Sequence, residues 1–374
     1  VTAAGVAGVE QGRPIRVLIA GGGTGGHIIP ALAIATALET GPGGAELLFL
    51  GTSRGLESRL VPQAGYRLEL IEVGQLKGVS LATRARTLLD LPRAVLRARA
   101  LLRSFKPDVV VGVGGYASGP AMAAAVLGGV PTLAFEPNAA PGLANRLVGK
   151  RVSAAAVNFA PAARFFRNAR VTGIPVRGAF FSLPTRDANA DQAPELLVFG
   201  GSQGARALNR VMPEVLVRLL AAVPGLRVLH QAGARAAEET RRAFAATGAD
   251  PGRWQVSAFV DDMPARFGAA DLVLARSGAS TVAELCAAGK PSLLVPFPLA
   301  ADDHQRRNAE ELAARGAAVV VLEPELTADR LLQELVGLLG DEPRLARMAG
   351  AARALARPHA AEEIATMVRE LRRK

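Results

Sequence analysis

Short apolar runs that end in glycine or a polar turn, each followed by a longer stretch of helical spacing, recur along the whole chain. In the first half these runs are IRVLIA, ELLFLG, YRLELIEV, PDVVVGVG, PTLAFEP, RVSAAAVNF and RVTGIPV. Nearly continuous apolarity predicts strands buried on both faces, and the helical stretches between them predict a parallel sheet wound on both sides. After Arg177 the segment GAFFSLPTRDANADQAP is polar and turn-rich and reads as a linker. From Glu195 the rhythm restarts with ELLVFGG, LRVLHQAG, WQVSAFV, DLVLARSG, PSLLVPF and AAVVVLEP. The halves open alike, IRVLIAGGGTGGH and ELLVFGGSQGAR both reading as strand, glycine turn and helix. The predicted fold class is therefore α/β, with two Rossmann-like, doubly wound parallel-sheet domains facing a central cleft where ligands bind beyond the strand ends. The expected divisions are a tail at 1–12, a first domain at 13–178, a linker at 179–194, a second domain at 195–355 and a helix at 356–374 that packs back across the domain boundary.

Composition narrows the partners. At 374 residues the chain exceeds a single ordinary core and suits two domains. A hydrophobic fraction of 50% with only 4% aromatic favours close packing of helices on sheets and leaves few platforms for stacking bases. The formal net charge of +11 favours phosphate-rich partners, whether nucleic acid, an anionic membrane or phosphorylated substrates. A single cysteine, Cys286, excludes an internal disulfide and points to a reducing cytoplasm. The opening VTAAGVAGVEQGRP has no basic n-region or apolar h-region and reads as a loose tail, not a signal peptide. Val109 to Phe135 carries no charge, yet Gly and Pro interrupt it at short intervals, so it reads as strand, helix and strand and not as a membrane span.

Three glycine turns, Gly21–His27, Gly112–Pro120 and Gly200–Arg206, bring backbone amides and helix starts to the predicted cleft, where an anion can sit. Any one of them equally suits strand-to-helix packing; three at matched strand ends favour the anion. The first matches G-x-G-x-x-G and raises an NAD-dependent oxidoreductase, which demands an acid at the end of the second strand. That strand ends in Gly51 and Thr52, so NAD is demoted. In the second half Ser280 and Thr281 stand near a helix start with Glu284 one turn on, a set that taken alone reads first as a helix cap with an acid in its first turn and also fits a diphosphate and a ribose. His27, which opens a helix beside the first turn, is the candidate general base or else a cap or packing residue, Glu136 is the second candidate base or, more in keeping with its place, a strand-end residue that satisfies local backbone donors, and Tyr116 is an aromatic that packs on a sugar or covers a strand end. Asp261–Asp262 and Asp302–Asp303 read as helix caps rather than metal ligands, and no His/Cys cluster has ligand spacing. A non-catalytic phosphate- or lipid-binding module is the remaining alternative.

The motifs GGGTGGHIIPALAIA, GVGGYASGP, EPNAAPGLANR, VTGIPVR, LLVFGGSQGARALN and RSGASTVAELCAAGKPSLLVPFPLAADDHQRRNA follow one another in an order that resembles glycosyltransferase family 28, the peptidoglycan glycosyltransferases. The resemblance implies a GT-B fold and inverting transfer of GlcNAc from UDP-GlcNAc to the C4 hydroxyl of MurNAc on lipid I. It implies Thr24, Gly25, Gly26 and Asn138 near the transferred sugar and pyrophosphate, with Arg177 and Ser202 on the phosphates. Val260 and the run Ala279, Ser280, Thr281 and Glu284 would hold uracil and ribose, Gln305 the GlcNAc hydroxyls, and His27 and Tyr116 would face the acceptor. It implies no metal and no required cofactor, with a divalent cation as a non-essential addition at most. The partners it implies are UDP-GlcNAc, the undecaprenyl-linked acceptor, an anionic surface at the cytoplasmic face of the bacterial membrane, and other cell-wall and division proteins. Two positions depart from the family's His-Glu-Gln-Asn, since Phe135 and Pro137 flank Glu136 here.

The charge concentrates between Lys77 and Lys106, where eight basic residues face the single acid Asp90. Pro92 is expected to divide this stretch into two helices, the second capped by Asp90, with Leu81, Leu88, Val95, Leu96 and Leu102 as the apolar stripe. Such a surface suits anionic lipid, or else a sheet-covering helix with a solvated face. Without interleaved aromatics or a known motif, nucleic acid is not expected.

Overall fold

The computed structural model describes residues 13–73, 81–183, 193–201 and 204–372, with the backbone alone for 81–89. The expected tail, most of the expected linker, Lys77 and Ser202 lie outside the described residues. The first lobe holds a seven-stranded sheet of β1 (Ile15–Ala20), β2 (Ala45–Gly51), β3 (Leu68–Leu70), β4 (Val109–Gly112), β5 (Thr132–Glu136), β6 (Ala154–Val157) and β7 (Ala169–Val171). Its helices are α1 (Gly25–Thr40), α2 (Glu57–Gln63), α3 (Leu81–Phe105), α4 (Ser118–Leu127) and α5 (Leu143–Val148). In the second lobe β8 (Glu195–Phe199), β9 (Arg227–Gln231), β10 (Trp254–Ser257), β11 (Leu272–Ala275), β12 (Ser292–Leu294) and β13 (Ala318–Val320) make a six-stranded sheet. There α6 (Arg206–Ala222), α7 (Ala237–Ala246), α8 (Met263–Ala269), α9 (Ala279–Ala288), α10 (His304–Ala313), α11 (Ala328–Leu339) and α12 (Glu342–Ala354) flank it, and α13 (Ala360–Glu370) ends the described chain.

Strand order is β3-β2-β1-β4-β5-β6-β7 in one sheet and β10-β9-β8-β11-β12-β13 in the other, every described pairing being parallel. Each order reverses beside its first strand, which places a crevice at the ends of β1 and β4 and another at the ends of β8 and β11. Alternation within β1 fills both faces: Val17 and Ile19 join the cluster under α1, while Leu18 and Ala20 join the one under α4. Those two facing crevices are the walls of the cleft.

The chain passes between the lobes twice. Phe159 and Phe180 from the first half are buried in the second lobe's core beside Phe267. On the return, α13 inserts Ile364, Met367 and Val368 into the core beneath α1. Burying each such side chain stabilises by about 1.5 to 3 kcal/mol, so these contacts outweigh the exposed Arg170–Glu370 ion pair at 2.8 Å, which contributes about 0 to 1 kcal/mol.

One expectation for the basic stretch fails. Pro92 does not divide it, because α3 is one 25-residue helix with the proline inside, and Asp90 pairs with Arg93 at 3.3 Å instead of capping a second helix. Ala94, Ala98, Leu102 and Phe105 are buried at helical spacing, and this packing outweighs the backbone bond lost at Pro92. Leu96, placed in the apolar stripe by its spacing, is instead 63% exposed.

Candidate active site

The turns after β1 and β4 are pressed together, with the Gly22 amide donating to the Gly114 carbonyl at 3.2 Å. The contact leaves no room for side chains: a Cβ on Gly115, whose φ is +83°, would lie 2.0 Å from the Gly22 oxygen. His27, in the first turn of α1, is wedged between these loops with its ring against Gly114, and its Nδ1 lies 3.5 Å from the Thr24 hydroxyl. Burial lowers the imidazole's pKa, and His304 across the cleft lowers it further; the Gly22 backbone hydrogen bond and Glu57 oppose both. The neutral ring, the form able to accept a proton, is thereby favoured. Tyr116 stands next to the same turn, 39% exposed.

Glu136 occupies a different position from that of a free base. The residue is 2% exposed at the end of β5. Oε1 accepts from the Asn138 amide (3.0 Å) and side chain (3.2 Å), and Oε2 from the Gly142 amide (3.1 Å) and Asn145 (3.0 Å). Desolvation still leaves its pKa raised. Four donors folded onto one carboxylate make it the organiser of the 137–142 loop, the strand-end alternative to a base. Asn138 is thus held at the cleft, and its Oδ1 accepts from Asn308 on α10 at 3.2 Å. Phe135 is fully buried in the core beneath α1, so the departure from the family pattern there alters the core and not the cleft.

On the opposite wall α9 starts at Ala279 after Gly278, and no side chain caps it. Ser280 and Thr281 therefore do not play the capping role that their spacing allowed, and the first amides of the helix are open to the cleft. The gap is narrow here, since a Cβ on Gly26 would lie 3.8 Å from the Ser280 hydroxyl, and Ala279 and Ala283 pack against the first lobe's core. Glu284, one turn on, is pushed up to about 7 by burial, with the Arg177 guanidinium pulling the other way. Arg177 itself is exposed and stacks over Phe180 at 5.2 Å. Gln305, in the first turn of α10, accepts the Phe297 amide on its Oε1 at 3.0 Å, while its backbone carbonyl takes the Ser277 hydroxyl at 2.8 Å. Val260 lies half-buried in the loop after β10.

Asp262 caps α8 by accepting the Ala265 amide at 3.2 Å, as its position suggested. Asp303 precedes α10 with a φ of +54° and makes no such bond. Among the described residues no group of three or more His, Cys, Asp or Glu converges to hold a metal.

Two residues that the sequence reading missed shape the site. Glu57 is fully buried beneath the first glycine turn, where its oxygens accept from the Gly23 amide (2.8 Å), the Thr52 amide (2.9 Å) and the Thr52 hydroxyl (2.8 Å). An acid thus does stand at the end of β2, but it comes from α2 and three donors of the protein already occupy it. Asn308, also fully buried, joins the lobes: its Oδ1 accepts the Ala139 amide at 2.9 Å, and its Nδ2 donates to Asn138 and to the Ser277 carbonyl, both at 3.2 Å. Its place at the end of HQRRNA was the one available signal. A cavity of about 220 Å³ at the same junction is lined by Phe159, Ile174, Val176, Val282, Cys286 and Leu312 among others, and none of the residues singled out for chemistry lines it. Burial there pushes the Cys286 thiol up to about 12 and keeps it protonated.

Two facing Rossmann-like lobes with an uncapped helix start on one wall and a histidine of lowered pKa on the other fit a nucleotide-sugar transferase of the GT-B class, and the comparisons agree. Residues 17–157 match the glycosyltransferase family 28 N-terminal domain and residues 195–364 its C-terminal domain, so the chain belongs to glycosyltransferase family 28. Within that family the similarity is to MurG. The crystal structure of Acinetobacter baumannii MurG superposes with a TM-score of 0.80 at 32% identity, covering 96% of this chain and 100% of that one. A protein of Anaeromyxobacter dehalogenans (strain 2CP-C) is 46% identical over 96% of this chain and 94% of its own, and is named UDP-N-acetylglucosamine--N-acetylmuramyl-(pentapeptide) pyrophosphoryl-undecaprenol N-acetylglucosamine transferase. A relative of the same name from Halorhodospira halophila is also 46% identical, over 95% of this chain and 98% of its own. More distant glycosyltransferases, such as that of kitacinnamycin (19% identity, TM-score 0.69), share the fold. An oxidoreductase and a non-catalytic module find no support in these relationships.

Proposed function

We propose that the chain transfers GlcNAc from UDP-GlcNAc to the C4 hydroxyl of MurNAc in lipid I, with inversion, giving lipid II for peptidoglycan synthesis. The observation that carries this reading is the meeting of α9 and α1 across one narrow cleft. A helix start with free amides, Glu284 and Arg177 lies on one side, and His27 lies on the other. Glu284 accepts the ribose hydroxyls, and Val260 and Ala279 flank the uracil. The α9 amides, Ser280, Thr281 and the Arg177 guanidinium neutralise the departing diphosphate, with Ser202, which lies outside the described residues, as a further contributor. In this reading positive charge already stands at the leaving group, so a divalent cation is not required.

His27 takes the proton from the acceptor hydroxyl as that oxygen attacks the anomeric carbon from the face opposite UDP. Thr24, Gly25, Gly26 and Asn138 position the sugar and the acceptor phosphates, Gln305 the GlcNAc hydroxyls, and Tyr116 covers the acceptor. Among the described residues no helix is long and apolar enough to cross a membrane. A peripheral seat on anionic lipid is supported by α3, α4 and α5, which expose Leu96, Leu127, Leu143 and Leu147 near basic side chains including Arg93, Arg97 and Arg146.

The test is turnover of the purified chain with UDP-GlcNAc and a lipid I analogue. UDP release that depends on the acceptor is expected. Donor hydrolysis unaffected by the acceptor, or no release at all, overturns the reading.

A further inference from the structure

We propose that the carboxylate of Glu57 is an internal anion that moulds the first glycine turn and so positions His27 for proton removal. The proposal rests on the reading of His27 as general base. Its geometric basis is independent of that reading: Glu57 is fully buried, and all three of its donors come from the strand ends it lies beneath, the Gly23 amide, the Thr52 amide and the Thr52 hydroxyl. The glycines of the region are built around it. A Cβ on Gly22 would fall 2.1 Å from Oε1, one on Gly55 1.9 Å from Oε2, and one on Gly51 2.5 Å from Cγ. Amide donors of the kind that cradle phosphate elsewhere are here already occupied by a side chain of the protein. What the turn leaves open to ligands is the start of α1, at Gly25 and Gly26.

Glu57 also acts on His27 through charge. The titratable groups bearing on the imidazole are Glu57 from α2, which raises its pKa, and His304 from α10, which lowers it; the β4 turn meets the ring with Gly114, α1 offers Thr24, and α9 brings Ser280 up to the neighbouring Gly26. A fixed negative charge therefore offsets part of the loss of basicity that burial causes, while the Gly23 bond holds the loop on which α1 begins.

Glu57→Gln separates these effects from simple loss of fold. The amide group cannot accept at both of its ends, so one oxygen's worth of bonding to Gly23 or Thr52 is lost and the charge disappears. In the full chain with labelled imidazoles, the His27 resonance, assigned by its absence in His27→Ala, is expected to titrate at lower pH in Glu57→Gln than in the wild type. The acidic limb of kcat/KM for the acceptor is expected to move in the same direction, kcat to fall at least tenfold, and the Kd for UDP-GlcNAc to stay within about twofold. An unmoved His27 titration together with an unchanged kcat overturns the proposal. Normal turnover by His27→Ala overturns the base reading beneath it, and is told apart by the imidazole titration, which needs no turnover.

Discussion

Glu284 sits on α9 with its carboxyl pushed up to about 7, above the ordinary value of 4.5, because burial disfavours its charge more than Arg177 favours it. A folded-state pKa above the unfolded one means a contribution that is fully present below about pH 4.5 and is lost as pH rises through about 7. Ribose hydroxyls that donate to this carboxylate would return the lost solvation. Glu284→Gln is therefore expected to raise the thermal midpoint of the free chain at pH 8 but not at pH 5, while weakening UDP-GlcNAc by roughly 1.5 to 3 kcal/mol in calorimetry. The proposed role of His27 predicts the opposite division of labour. His27→Ala is expected to lower kcat by about 10²- to 10⁴-fold with little change in donor affinity. Because its pKa is lowered from 6.5, the proposal that the neutral ring acts as base predicts that activity in the wild type falls only as pH drops below that value. A pH–rate profile with its acidic limb above 6.5 would contradict this assignment.

The elements that carry these residues are short, and their ends are where the chemistry lies. Gly115 illustrates how tightly the strand ends are fitted: its φ of +83° is a left-handed conformation, and a Cβ would overlap the Gly22 carbonyl. Gly115→Ala is expected to destabilise the chain by at least about 1 to 3 kcal/mol from backbone strain alone. It should also reduce turnover by shifting the turn that holds His27, with thermal melts and rate measurements reading the two losses. Helix α3 shows the converse, a proline carried inside a long helix because Ala94, Ala98, Leu102 and Phe105 are anchored on the sheet. Local propensity argued for a break there, and packing overruled it.

At the scale of the whole molecule the lobes are coupled by the α13 return and by one buried amide. Asn308 holds Ala139 and Asn138 of the first lobe and Ser277 of the second with a single side chain. Asn308→Ala removes this partner from the buried Ala139 amide and Ser277 carbonyl, at about 1 to 3 kcal/mol for each group left orphaned, and frees the half-buried Asn138. The expected result is a lower thermal midpoint, a raised KM for UDP-GlcNAc and a larger radius of gyration by small-angle scattering. An unchanged radius and KM would show that the cleft does not depend on this bridge.

Alternation of apolar runs with helical stretches determined by itself that the chain forms two parallel-sheet lobes, because burial on both faces of a strand is written locally, residue by residue, as in IRVLIA and ELLVF. The glycine turns and the ordered motifs likewise marked the cleft and the family. What the tertiary structure decided is which polar groups are already satisfied. The donors on Glu136, the buried charge of Glu57, the missing cap on α9 and the bridge of Asn308, made to a residue 169 positions away, all depend on neighbours that no local pattern encodes. Hydrogen-bond satisfaction is a property of the folded surroundings, so only the packed chain separates a carboxylate that can act on a ligand from one that holds a loop in place.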